Sequence, residues 1–290
     1  MTAIDATTEP FLRNKYAIVG VGETTYRRGS QETTRNLATW ALNNAIDDAG
    51  LEAEDIDGML SYSGNDSTSS PFVAGDLGIR LNFYMDCIGG GSSTEALIGI
   101  AIGVIEAGMC NTVAIFRSMN GYSQVRIGGT GARAAAPING GALHTRAYGW
   151  QSAGQNFAPT FMRHMYDYGT TPEQVAAVKV AHSKHASNNP KAYYPGRVTV
   201  DDVVNSRMIC KPLHLLDCCV ETDNATCVIV TRAERAKNLR QRPALIRSVV
   251  GRCSKPRLDM HYQHGPISTV AGHYAKDILW PNAGVGPDEI

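Results

Sequence analysis

The apolar positions of this chain change period along its length. Residues 16–22 (YAIVGVG) are a nearly continuous apolar run closed by glycine, the pattern of a buried strand. Residues 34–49 place Leu37, Trp40, Ala41, Ala45 and Ile46 at helical spacing, Gly50 stands where a helix ends, and 56–62 (IDGMLSY) opens the next strand. The stretch around which the rest is organised is 86–116, DCIGGGSSTEALIGIAIGVIEAGMCNTVAIF. Three glycines, Gly89, Gly90 and Gly91, give way to Ser92, Ser93 and Thr94, any of which can cap a helix. Ile98, Ile100, Ala101, Ile102, Val104 and Ile105 are apolar nearly all round, which suits a helix in the middle of a layered protein. Gly99 and Gly103, four apart, leave room for another backbone, the helix stops at Gly108, and 112–116 reads as a buried strand. Strand, helix, strand, glycine turn, helix and strand predict an α/β fold with a largely buried sheet.

Residues 117–155 are rich in glycine and short of apolar periodicity, the pattern of loops laid over a surface. Helices are expected over 156–168 and 171–188, the second started by the capping sequence TTPEQ, with a short helix over 200–207, an extended stretch over 210–216 and a strand over 227–231. Past a boundary at 241–243, residues 245–251 (LIRSVVG) look like a second copy of the opening strand, and a helix follows over 269–280. AGLEAEDI at 49–56 then matches AGVGPDEI at 283–290, in nearly the same register as the strands, as an internal duplication requires. The first copy continues into its strand, glycine turn and buried helix, whereas the second stops at Ile290. The expectation is a truncated second half, completed by sequence absent from this chain or by a partner. Four parts are expected: an arm over 1–14, a core half over 15–120, an inserted, mainly helical loop domain over 121–242, and the start of a second core half over 243–290.

Charge narrows the function classes. Lys+Arg and Asp+Glu balance at 27 each, which gives no electrostatic case for nucleic acid or an anionic membrane. No apolar segment reaches the roughly 20 residues needed to span a bilayer, and the first nine residues are polar, so a cytoplasmic protein is expected. Seven cysteines without a CxxC pair point to free thiols. His182 and His185 lack a neighbouring acid ligand and read as solvated, Cys218 and Cys219 read as buried thiols, and Glu221, Asp223 and Asn224 read as a turn. Chemistry concentrates at Gly89–Ser92, because a glycine turn feeding a buried helix N-terminus gathers N–H groups and positive dipole, fit to hold an anion, a thiolate or a developing oxyanion; a merely tight turn is the alternative.

Two long segments, DYGTTPEQVAAVKVAHSKHASNNPKA (167–192) and KPLHLLDCCVETDNATCVIVTRAERA (211–236), together with the repeated Ala-Gly element and the glycine-turn helix, carry a family resemblance. The chain resembles the thiolase superfamily, specifically the sterol-carrier-protein-x type thiolases and the lipid-transfer-protein-like members of bacterial steroid catabolism. That resemblance implies a thiolase-like duplicated αβαβα layered core with an inserted loop domain, here with the second half incomplete. It also implies a homodimer, an acyl-CoA substrate with coenzyme A as its carrier, no permanently bound cofactor and no metal, and an OB-fold acyl-CoA-associated partner. Thiolases use a cysteine at the start of the first buried helix. Matching Ala96–Leu97 to the family motif puts Gly90 at that position; Cys87, three residues upstream, is the catalytic candidate if the register of the turn shifts and a structural thiol otherwise, and the family's histidine and second cysteine fall past Ile290. Without a thiolate, what the resemblance leaves is a pocket at Gly89, Gly90, Gly91 and Ser92 that can hold a thioester carbonyl as it gains charge, and Tyr262, in the HYQH segment, as the tyrosine to consider for it. Retro-aldol or thiolytic cleavage of a β-hydroxy- or β-ketoacyl-CoA is the expected activity; a non-catalytic subunit that binds acyl-CoA or lipid for a partner is the alternative.

Overall fold

The computed structural model describes residues 12–64, 66–124, 147–149, 153–251, 269 and 272–290. Tyr16–Glu23 (β1), Thr34–Ala49 (α1), Gly58–Ser63 (β2), Ser70–Asp76 (α2), Phe83–Ile88 (β3), Ser93–Glu106 (α3) and Thr112–Asn120 (β4) come first. Ala153–Tyr168 (α4), Pro172–Ala186 (α5), Val200–Val204 (α6) and the hairpin Met208–Cys210 (β5) and Leu213–His214 (β6) follow. Asp223–Arg232 (β7), Ala233–Ala236 (α7), Ala244–Leu245 (β8) and Gly272–Ala283 (α8) complete the described chain.

One sheet organises these elements, in the strand order β3-β2-β4-β7-β1-β8. β2 is parallel to β3 and β4, while β7 runs antiparallel to β4 and β1. α1 and α2 cover one face through Leu37, Ala41, Leu42, Ala45, Val73 and Ala74. α3 covers the other through Leu97, Ala101, Ile102 and Ile105, against Leu60, Val113 and Ile115. The period-2 and period-3.6 patterns of the sequence are these two faces. α1 begins on Thr33, whose hydroxyl takes the Asn36 N–H (3.1 Å), and lies so close to β1 that a Cβ on Gly22 would sit 2.0 Å from the Ala41 carbonyl oxygen. Glycine in β1 is therefore what lets helix and strand approach.

The duplicated element folds the same way twice. Gly50 and Gly284 follow their helices with φ of 69° and 66°, each leads to a 3-10 turn, and the carboxylates of Asp55 and Glu289 take the N–H of Glu52 (3.0 Å) and Gly286 (2.8 Å). The last carbonyls of α8 are held by Arg13 and Arg247, each within 3.0 Å of its partner oxygen through Nε. Residues 12–14 of the expected arm are thus docked, with the Asn14 N–H also on the Ile246 carbonyl (2.9 Å).

Three features differ from the sequence expectations. The second-copy strand over 245–251 forms no sheet of its own among the described residues: only Ala244–Leu245 pairs, with β1, and the rest lies on α3, where a Cβ on Gly251 would come within 2.5 Å of Ala96 Cβ. The span 121–242 is not all insertion, because β7 sits in the centre of the core sheet. α2 and β3 lie between the second strand and the glycine turn, where no element was expected.

Candidate functional site

β1, β2, β3 and β4 point the same way, so the loops that follow them gather at one end of the sheet, the end where open α/β sheets bind ligands. The glycine turn is one of these loops. It leaves β3 with the Gly89 N–H on the Ser63 carbonyl (3.2 Å) and enters α3 with the Ser93 N–H on the Gly90 carbonyl (2.9 Å). Ser92 is the N-cap residue, but its side chain makes no capping bond, so no hydroxyl occupies the helix end. Gly90, Gly91 and Ser92 are exposed, and a Cβ on either glycine would meet nothing within 4 Å among the described residues. In the single chain the turn faces solvent at the end of an edge strand.

Cys87 stands on β3 and not at the helix N-terminus. It is half-buried on the α3 face of the sheet, level with Tyr62 on β2, and Tyr62 is next to Arg117 on β4. The Arg117 guanidinium lies 4.9 Å from the centre of the Tyr62 ring and pairs with Asp66 (2.6 Å) in the loop after β2. Burial works to raise the Asp66 carboxyl, and the Arg117 guanidinium with the Gly64 N–H outweighs it, leaving it below the usual carboxylate range. Ser93, on the sheet-facing side of α3 with Leu97, is fully buried, and its hydroxyl finds no hydrogen-bond partner among the described residues. On the opposite face of β3, Asp86 takes the hydroxyls of Ser61 (2.6 Å), Ser70 (2.6 Å) and Ser69 and holds the start of α2.

Other thiols are set up as structure. Burial pushes Cys110 up to about 11 and Cys227 up to about 12, which keeps both protonated and unreactive. The six described cysteines are unbridged. Tyr262 lies outside the described residues; Gly251 precedes that stretch and is packed on the first turns of α3, beside the glycine turn. A polar groove of about 560 Å³ lies apart from the turn, between β1, the end of α1 and Lys191, with Lys191 paired to Glu23 (2.7 Å). Among the described residues no group of three His, Cys, Asp or Glu is placed to hold a metal ion, and no helix is long and apolar enough to cross a membrane.

Asp223 stands where the residue types of 221–224 predict an ordinary turn. It is fully buried, and its carboxylate takes the N–H groups of Ser30 (2.9 Å), Tyr122 (3.0 Å) and Ser123 (2.9 Å) and the Ser123 hydroxyl. It ties the loops after β1 and β4 to the start of β7 at the site end of the sheet. Its partners are mostly backbone groups about a hundred or more positions away, so residue types alone carried no signal of it.

No family model matches the chain. Among curated proteins it is 35% identical to the 17-hydroxy-3-oxo-4-pregnene-20-carboxyl-CoA lyase of Mycobacterium tuberculosis, over 96% of this chain and 74% of the lyase. The chain belongs to the thiolase superfamily. Within it the chain is a member of the sterol-carrier-protein-2-thiolase-like group that includes the steroid side-chain aldolases. A steroid side-chain-cleaving aldolase of Thermomonospora curvata is 37% identical over 79% of this chain and 60% of its own length. Among solved structures the Ltp2-ChsH2(DUF35) aldolase superposes with a TM-score of 0.86 and 30% identity, covering 96% of this chain and 72% of that one. The resemblance carried by 167–192 and 211–236 and the expected thiolase-like α/β fold are both borne out, and the lyase among these relatives is named for a CoA thioester.

Proposed function

We propose that this thiolase-superfamily chain binds an acyl-CoA with its thioester carbonyl at Gly89–Ser92 and cleaves a β-hydroxyacyl-CoA by a retro-aldol reaction. In that reaction a base takes the β-hydroxyl proton, the hydroxyl oxygen becomes a carbonyl, and the Cα–Cβ bond breaks. Its electron pair passes to the thioester as an enolate, which the N–H groups of the helix N-terminus stabilise until Cα is reprotonated. Tyr262 is the base we assign. The observation that carries this reading is the open turn at the start of α3: glycine stands where a thiolase carries its nucleophile, a Cβ there would meet no described residue within 4 Å, and Cys87 lies on the sheet instead. A thiolase needs a thiolate in that place to form its acyl-enzyme. The lyase and aldolase names of the relatives at 35% and 37% identity support cleavage over condensation. We further propose a homodimer and, from the DUF35 protein joined to the aldolase of the solved complex, an OB-fold partner.

The test is incubation of the full chain, alone and with such a partner, with the CoA thioester in the Mycobacterium tuberculosis enzyme's name. Release of a carbonyl compound and a shortened acyl-CoA, lost in Tyr262→Phe, is expected. An acyl group found on Cys87 by mass spectrometry would overturn the retro-aldol reading, and binding without turnover in both conditions would leave the non-catalytic subunit.

A further inference from the structure

Gly89, the first residue of the turn, is tied to a largely buried cation two strands away. Its N–H donates to the Ser63 carbonyl at the end of β2 (3.2 Å). Ser63 is held in turn by Asp66: the Asp66 N–H donates to Ser63 Oγ (3.1 Å), Ser63 Oγ lies 3.5 Å from Asp66 Oδ1, and the same oxygen takes the Gly64 N–H (2.8 Å). Asp66 Oδ2 takes Arg117 Nη2 (2.6 Å). Arg117 is itself fixed by Nη1 on the Ser118 carbonyl (2.9 Å) and by the Tyr62 ring. The two charged side chains are only 14% and 8% exposed.

A pair this far out of water is a poor device for stability alone, because desolvation offsets most of the attraction and apolar residues can fill the same space. What such a pair can do is fix geometry. In the loop after β2 the described residues Gly64, Asp66 and Ser67 offer no apolar side chain as an anchor, so its position depends on polar partners. Reactive geometry is also sensitive, since a displacement of about 1 Å can cost roughly a hundredfold in rate. We propose that Arg117 is a positioning residue for the glycine turn, acting through Asp66 and Ser63 to hold the Gly89 end of the turn where a thioester oxygen is received. This rests on the reading of the turn given above.

The test uses the full 290-residue chain labelled with ¹⁵N-glycine, with amide hydrogen exchange followed at Gly89 and, as controls far from the path, at Gly20 and Gly22 in β1. Arg117→Gln is expected to speed exchange at Gly89 roughly ten- to a hundredfold, the effect of losing a charge-assisted bond, while Gly20 and Gly22 stay as they were. Arg117→Lys, which keeps a cation, should recover part of the protection. Should Arg117→Gln not fold, Ser63→Ala removes the hydroxyl arm alone, and a selective rise at Gly89 is again expected. No change at Gly89, or an equal change at all three glycines, overturns the link. Acetyl-CoA is then added as the probe. Slowed exchange at Gly89, needing several-fold more acetyl-CoA in Arg117→Gln, supports the functional role, which a merely structural residue would not produce. No slowing in the unsubstituted chain sinks the thioester reading of the turn, while the exchange data decide the link separately.

Discussion

Asp223 joins residues that nothing in the sequence places together. Burial works to raise its carboxyl, and the Ser123 hydroxyl with the N–H groups of Ser123, Ser30 and Tyr122 outweighs it, so its proton binds less readily than in the unfolded chain. A carboxyl lowered in the folded state stabilises above its unfolded value, near 3.8, and that contribution is lost as pH falls through the lower folded value. Asp66 and Asp86 are lowered too, so stability measured by urea unfolding should be level near neutrality and fall in the acid range below about 4. Asp223→Ala leaves three backbone N–H groups without their acceptor, at roughly 1–3 kcal/mol each before relaxation, and should lower stability by several kcal/mol. A loss under 1 kcal/mol in that variant would show that water replaces the carboxylate. Single residues whose conformation is decided locally were legible: Gly50 as a left-handed cap and Thr171 as the start of a capping box, with the Thr171 N–H on Gln174 Oε1 (2.9 Å). Asp223 was not, because its meaning depends on which loops the fold brings to it.

Elements were legible in proportion to the contrast between their two sides. α1 and α3 stood out because their apolar residues run over four turns, and α5 because its cap is spelled out in five residues. β3 was missed because it is an edge strand whose outward residues include Tyr84 and Ile88, so no alternation of polar and apolar types marks it. α2 was missed because seven residues give too few turns for a period to show. The composition of 245–251 suggests a strand, but only Leu245 pairs in the sheet, and it is exposed; Ile246 and Val249 face inward onto α3, with Val249 within 3.5 Å of a Cβ placed on Gly99. That packing is open to a direct check. Gly251→Ala puts a methyl 2.5 Å from Ala96 Cβ and 2.6 Å from its Cα, both on a helix that cannot yield locally. Overpacking of this kind costs about 1–3 kcal/mol, so a loss of stability of that size in urea is expected, and Ala96→Gly in the same chain should not restore it, because the Cα at 2.6 Å stays in place. An unchanged midpoint would mean that the segment does not rest on α3.

At the scale of the whole molecule, the duplication was legible because a helix end and its 3-10 turn are set by local residues and so recur with their sequence. How far the second copy is covered was not. Ile246, Val249, Val250, Ile278, Leu279 and Trp280, apolar residues that an incomplete second half would leave in water, are all half-buried, because Arg13 and Arg247 hold α8 in place and the segment before it lies on α3. The larger liability sits at the other end of the sheet. β3 pairs with β2 on one side and, among the described residues, with no strand on the other, and it presents Tyr84 at 55% and Ile88 at 84% exposure beside the glycine turn. An edge strand with apolar side chains and no lysine or proline along it is a template for another strand. A second copy is the occupant consistent with the homodimer proposed above, and joining two such edges would bring two glycine turns to one interface. The 290-residue chain should therefore associate in a concentration-dependent way in sedimentation velocity. Ile88→Lys, which puts a charge on that edge without touching the core, should weaken association about tenfold or more while leaving the unfolding midpoint within about 0.5 kcal/mol. A chain that stays monomeric at all concentrations, or an Ile88→Lys variant that associates as tightly as its parent, would remove the edge from the account and turn attention to the outer face of α3, where a Cβ on Gly103 would meet nothing beyond its own helix within 4 Å among the described residues.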